Sequence, residues 1–232
     1  MRDVDLDVTH GERRAILGPN GAGKTTLFNV ISGDLPPTAG TIEFLGADIS
    51  TLPARTRAKL GMGRTYQKSR SFWGLSVEDN LYLAVLGVRS GHYRFFETRG
   101  SRLERRTRAR ELAESVGLAA KCPELVGSLS HGEQRQLEVA MAQASSPRLM
   151  MLDEPASGLS RGERVKLTDS LLRLDPEVTL ILIEHDMDVA LRVADRVTMM
   201  HDGAVIVEGT PAEIRANQTV HDLYLGRGYN DE

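Results

Sequence analysis

Residues 18–25, Gly18-Pro19-Asn20-Gly21-Ala22-Gly23-Lys24-Thr25, match the phosphate-binding pattern G-x-x-x-x-G-K-[ST] at every fixed position. Glycines let the backbone curl so that successive N–H groups face phosphate oxygens. Lys24 adds a point charge, and the Thr25 hydroxyl suits Mg2+. Thr26 follows as a further binding candidate. Two carboxylates, Asp153 and Glu154, come directly after the apolar run Leu149-Met150-Met151-Leu152. Asp153 is placed to hold Mg2+ through its water shell, and Glu154 to orient or deprotonate a water attacking a terminal phosphate. A second anion site is written at residues 130–133, because Ser130 followed three residues later by Glu133 is a capping box that opens a helix. The N–H groups there suit a phosphate, and Gly132 lets a ligand approach the backbone closely; plain helix capping is the competing reading.

These residues need particular elements to carry them. Glu12 to Leu17 reads as a strand and Lys24 to Ser32 as a helix, with Leu27, Phe28 and Ile31 at helical spacing and Gly33 as its C-cap. A strand, a glycine loop and a helix in that order put the positive end of the helix at the phosphate. Upstream, residues 3–8 alternate acidic and apolar side chains, which predicts a strand with one exposed side. Further strands are expected at 41–45 and 61–67, a helix at 52–60, and buried strands at 149–152 and 178–183 flanking a helix at 162–174. The stretches 197–200 and 205–207 read as strands around the Asp202-Gly203 turn, followed by one or two short helices to residue 226. Strands alternating with helices from a phosphate loop onward predict an α/β fold with a mostly parallel sheet and its ligand at the strand C-terminal edge.

Between about residues 68 and 146 the pattern is helical. Ser76 is the expected N-cap of a helix to Leu86, and 101–116 forms an amphipathic helix. Its apolar side carries Leu103, Ala109, Leu112, Ala113 and Val116; Arg102, Arg105, Arg106, Arg108 and Arg110 form a basic face, either solvated or set against anionic lipid or a partner subunit. The organisation expected is one domain, with residues 1–67 and 147–232 as a core bearing an antiparallel β subdomain and 68–146 as a helical insertion.

Bulk properties narrow the function classes. The net charge of −3 over 232 residues lacks the basic imbalance of a dedicated nucleic-acid binder. The single Cys122 cannot form an internal disulfide and reads as a bystander. No apolar stretch approaches the length of a membrane span, so any membrane role needs a partner. A kinase or simple GTPase leaves the second capping-box site unexplained.

Six motifs in order then resemble the nucleotide-binding subunit of an ATP-binding cassette (ABC) transporter over essentially the whole chain. Residues 18–25 resemble its Walker A, Gln67 in RTYQ its Q-loop, and LSHGEQ at 129–134 its LSGGQ signature, with His131 for the first glycine. Residues 149–154 resemble Walker B with the catalytic glutamate, 156–160 the D-loop, and His185 in IEHD the switch histidine. The resemblance implies a P-loop NTPase fold that binds ATP and Mg2+. It implies two cassettes, identical or different, packed head to tail, so that Ser130, Gly132 and Glu133 of one meet the nucleotide of the other. Gln67 would touch Mg2+ or the attacking water and sense the membrane partner, and His185 would contact the terminal phosphate. Two departures stand out. The family usually stacks adenine on an aromatic residue upstream of where this sequence starts, so either the start is truncated or adenine is held another way. Ser160 replaces the Asp of many D-loops. The stretches RTYQKSRSFWGLSVEDNL, EPASGLS and EGTPAEI are similar to ATPase subunits of importers for branched-chain or other hydrophobic amino acids, amides or urea. Such a subunit would sit at the cytoplasmic face of the membrane on transmembrane permease subunits, served indirectly by a substrate-binding protein, with no nucleic acid involved. The alternatives by resemblance are a lipopolysaccharide-export ATPase and a non-transport ABC ATPase or nucleotide switch.

Overall fold

The computed structural model describes residues 1, 3–65, 71–88 and 99–225. Its centre is a six-stranded sheet in the order β4-β5-β6-β1-β7-β8. Strands β4 (Met62–Arg64), β5 (Leu149–Asp153), β6 (Thr179–Ile183), β1 (Arg13–Leu17) and β7 (Arg196–His201) run parallel, and β8 (Ala204–Gly209) returns antiparallel to β7. Every residue of β5 and β6 is buried, which is why both read as near-continuous apolar runs rather than alternating ones.

The period of two along β5 sorts its side chains between two cores. Met150 and Leu152 join a cluster with helices on one face; Leu149 and Met151 join Leu27 and Phe28 of α1 (Lys24–Ser32) on the other. Asp153 continues the second set, so alternation alone puts its carboxylate on the side where α1 packs. Register finishes the arrangement: Asp153 lies opposite Ile183, and Ile183 opposite Ile16. The chain therefore leaves β1 at Gly18, β5 at Glu154 and β6 at Glu184 along one edge.

Helix α1 is bounded by two glycines in left-handed conformation, Gly23 (φ 97°) before it and Gly33 (φ 83°) after it. A Cβ on Gly33 would also lie 2.8 Å from Nε of Arg57, so both conformation and space require glycine. Arg57 lies on α2 (Ala54–Lys59) and is buried. Its guanidinium donates to the carbonyls of Val30 (2.8 Å), Ile31 (2.6 Å), Leu52 (2.8 Å) and Ser50 (3.1 Å), giving the negative end of α1 a cation. Arg57→Met leaves these carbonyls without that donor and is expected to destabilise the fold by about 3 kcal/mol. The thermal midpoint should then fall by about 6–12 °C. A midpoint within about 2 °C of wild type would contradict this account of the helix end.

Helices α3 (Val77–Val88), α4 (Arg99–Ser115) and α5 (His131–Gln143) pack together, and one apolar cluster runs from them to the sheet. Ser76 caps α3 by accepting from the Asp79 N–H at 3.1 Å. The basic face of α4 is partly neutralised: Arg106 pairs with Glu78 and Asp79, Arg110 pairs with Glu78, and Arg106 also stacks on Tyr82 at 5.2 Å. Leu103, expected on the buried side of α4, is 67% exposed. The helix turns its core-facing stripe inward only from Ala109 onward.

The structure corrects the sequence reading in three further places. Residues 3–8 keep the expected alternation, with Val4, Leu6 and Val8 half-buried against the α1-side cluster, but are not a strand. Among the described residues no strand lies beside them to share a ladder; the segment is instead held by the Asp7 carbonyl, which accepts from Nη2 of Arg14 at 2.8 Å. The strand expected at 41–45 shrinks to β2 (Glu43–Phe44), paired with β3 (Ala47–Asp48) across a Leu45-Gly46 turn with both φ angles positive; the ladder ends at Ile42, whose carbonyl still accepts from the Ile49 N–H (2.8 Å) but whose own N–H goes to the Ser50 hydroxyl (2.8 Å). Finally, α7 (Met187–Val193) was not expected; Asp186 caps it, accepting from the Val189 N–H at 3.1 Å. Helices α6 (Arg161–Leu172), α8 (Pro211–Ala216) and α9 (Gln218–Leu225) lie where helices were read.

Candidate functional site

The glycine loop closes over the end of β1 against the β7–β8 turn. A Cβ on Gly18 would come within 2.2 Å of the Met200 carbonyl oxygen, and the Gly203 N–H donates to the Ala22 carbonyl at 3.0 Å, so the loop is anchored from behind. Gly21 (φ 85°) and Gly23 (φ 97°) supply the left-handed turns ahead of α1. Pro19 is half-buried, Asn20 and Gly21 are exposed, and Ala22 is buried beneath them. No side chain caps the first turn of α1 and no acid sits in it, which leaves its N–H groups open to an anion; Thr25 and Thr26 stand exposed at that same end.

Lys24 is only 5% exposed, and its ammonium donates to the carbonyls of Gly18 (2.6 Å) and Pro19 (3.1 Å). Burial pushes its pKa down, and the nearby charges of Glu154 and Asp153 oppose that shift. Asp153 is buried as well, with its pKa raised first by desolvation and then by Glu154, against the pull of Arg64, Lys24 and His185. Its Oδ1 has no hydrogen-bond partner among the described residues. A buried carboxylate oxygen without a donor, in the field of a lysine, is chemistry that fits a hard cation taking oxygen ligands such as Mg2+.

Glu154 leaves the strand with φ at 49°, in the left-handed region, and its N–H donates to the Ile183 carbonyl at 2.9 Å. That turn aims its carboxylate at the next strand end, where Oε1 meets Nε2 of His185 at 2.6 Å. The two side chains are 31 residues apart in sequence and are brought together by the β5–β6 pairing.

At this edge the sequence reading did not single out one buried acid. Glu184, beside His185, is buried, and its Oε1 accepts from the Ala156 N–H at 2.7 Å while Oε2 accepts from the His185 N–H at 3.1 Å. One carboxylate thus ties the turn after Glu154 to the backbone of His185. Burial pushes its carboxyl up to about 7, with these N–H groups holding it down. The available signal was an acid directly following the apolar run Leu180–Ile183 of β6.

The capping box at α5 is present. Ser130 Oγ accepts from the Glu133 N–H at 3.2 Å, and the Glu133 carboxylate accepts from the Ser130 N–H at 2.8 Å. Ser130, Gly132 and Glu133 make no hydrogen bond to residues 18–25, Asp153 or His185 among the described residues, so the starts of α1 and α5 stand apart within one chain. Ser160 forms a second capping box with Glu163 at the start of α6, which accounts for serine there in local terms. Gln67 lies outside the described residues. The strand leading toward it is secured by Arg64, which donates to Asn29 Oδ1 (2.8 Å) and Ser32 Oγ (2.7 Å) of α1, pairs with Asp34 and lies 4.6 Å over the Phe28 ring.

Comparisons with known proteins agree with this geometry. The family described as ABC transporter matches residues 1–157, and one described as branched-chain amino acid ATP-binding cassette transporter matches residues 204–230. The high-affinity branched-chain amino acid transport ATP-binding protein LivG of Escherichia coli is 36% identical over 97% of this chain and 91% of its own length. The lipopolysaccharide export system ATP-binding protein LptB of Escherichia coli is also 36% identical, over 99% of this chain and 92% of its own. Among solved structures, the ATP-binding cassette MJ1267 in its ADP conformation superposes with a TM-score of 0.82 at 27% identity, covering 96% of this chain and 91% of that one. The dimeric cassette MJ0796 bound to ADP and Pi gives 0.75 at 26% identity, covering 90% and 89%. With a phosphate loop, a buried acid, a glutamate–histidine pair and a separate signature helix end in one cassette fold, this chain belongs to the ABC transporter family.

Proposed function

We propose that this chain is the ATP-hydrolysing subunit of a membrane importer for branched-chain or other hydrophobic amino acids, amides or urea. The observation that carries the reading is the convergence of Lys24, Asp153, Glu154 and His185 at one sheet edge, with the 2.6 Å contact between Glu154 and His185 as its centre. In this reading residues 18–26 bind the phosphates of ATP, and Lys24 exchanges the Gly18 and Pro19 carbonyls for phosphate oxygens. Thr25, Asp153 and Gln67 hold Mg2+, which supplies charge neutralisation for the phosphates. Glu154 accepts a proton from the attacking water, and His185 donates to the terminal phosphate while fixing the Glu154 carboxylate. Ser130, Gly132 and Glu133 serve a second cassette, identical or different, packed head to tail. That explains why one chain carries two phosphate-type helix ends that do not touch.

Transport would run through transmembrane permease subunits at the cytoplasmic face, fed by a substrate-binding protein, without nucleic acid. No helix among the described residues is long and apolar enough to cross a membrane, so coupling needs such partners. The similarity to LptB supports a second reading, lipopolysaccharide export; the match of residues 204–230 to a branched-chain amino acid family favours import. The test is to purify the tagged chain from its own membranes and to measure uptake of labelled leucine in cells lacking it. Co-purification with polytopic membrane subunits and lost uptake support import. Recovery only with ribosomes or DNA would overturn any transport role, and intact uptake with impaired lipopolysaccharide delivery would favour export.

A further inference from the structure

The phosphate-type cradle at the start of α5 is already filled from within the chain. Oε1 of Glu163, at the third residue of α6, accepts from the Gly132 N–H at 3.0 Å and from the Ser130 hydroxyl at 3.3 Å. Its other oxygen accepts from the N–H and hydroxyl of Ser160 at 3.0 and 2.8 Å. The fit is close: a Cβ on Gly132 would lie 2.6 Å from both Cγ and Oε1 of Glu163 and 2.7 Å from Cδ. The open face of Gly132, which would admit a ligand to the backbone, is thus used by a side chain of the same protein. An ionised carboxylate and a phosphate oxygen compete for the same kind of donors, and two anions cannot share one hydroxyl and one N–H.

Resting on the composite-site reading above, we propose that Glu163 is an internal competitor for the signature helix: its carboxylate occupies, within one chain, the position that the terminal phosphate carried by a second cassette would take, and it must leave before two cassettes close. Its release breaks the carboxylate link between the starts of α5 and α6, while Leu137 of α5 and Leu167 and Leu171 of α6 stay packed in one core. The hydroxyl and N–H donors hold the Glu163 pKa down to about 2, so the competitor is charged at every physiological pH. The contact sets an ATP threshold, because closure has to displace an anion rather than fill an open cradle.

The test uses the full chain in the Glu154→Gln background, with ATP titrated and dimer followed by light scattering. Glu163→Gln keeps shape and removes the charge. Glu163→Asp keeps charge at the α6 end for Ser160 but is one methylene too short to span to Gly132. Both are expected to lower the half-saturating ATP for dimer formation by about three- to tenfold. In the nucleotide-free monomer, both should also shift the Gly132 amide resonance. An unchanged or raised ATP requirement in folded Glu163→Gln protein overturns the proposal, and so does an unmoved Gly132 resonance. If no version dimerises at any ATP concentration, the composite-site reading itself fails and the competitor role with it, while the Gly132 shift still reports whether Glu163 holds that amide.

Discussion

Glu154→Gln is expected to lower ATP turnover by about a hundred- to ten-thousandfold while leaving nucleotide binding intact, and to leave an ATP-bound dimer that persists through gel filtration. The size of the effect follows from where the side chain is held. Glu154 turns out of β5 with a positive φ, donates its N–H to Ile183 and directs its carboxylate to His185 at 2.6 Å. Glutamine keeps that shape and can still accept or donate one hydrogen bond to the ring, so the site should assemble. What it cannot do is take a proton from water, so the step lost is the chemical one. Phosphate release measured under saturating ATP and Mg2+ reads the first half of the prediction, and elution volume reads the second. A turnover within about threefold of wild type would remove Glu154 from the chemistry. A monomer under those conditions would count against closure of two cassettes, and with it against the roles of Ser130 and Gly132 in trans.

The site was legible where function is written in contiguous residues. The glycine loop, the Asp153-Glu154 pair and the Ser130–Glu133 box each rest on local backbone geometry, which short spacings specify. The sheet edge that gathers the first two was legible too, because the largely apolar runs at 149–152 and 178–183 announce strands buried on both faces. What escaped was made by contacts across the chain. Glu184 holds Ala156, 28 residues away, and Glu163 holds Gly132, 31 residues away. Neither carboxylate sits in a pattern that names its partner, and Glu163 has an ordinary local explanation as the third residue of a capped helix. The misread strand at 3–8 has the opposite cause: alternation reports which side is buried, and it was satisfied by packing without a neighbouring ladder.

Lys24→Ala should weaken ATP binding by at least about a hundredfold, because the ammonium is the one positive side chain set into the loop beside Asp153 and Glu154. Lys24 is held by two carbonyls in a buried position, an arrangement that stabilises a buried cation poorly. Alanine suits the start of α1, so stability should change little, with a thermal midpoint within about 3 °C of wild type. The electrostatic consequence falls on the acids. Without Lys24, the influence that lowers the Asp153 pKa is reduced to Arg64 and His185, burial and Glu154 continue to raise it, and Asp153 becomes a weaker partner for a cation. Loss of nucleotide affinity should therefore exceed what one missing hydrogen-bonding group accounts for, and excess Mg2+ should restore only part of it. Fluorescent ATP-analogue titration at two Mg2+ concentrations separates these contributions. A variant that binds and turns over ATP as the wild type does would show that the phosphates of ATP do not rest on this loop.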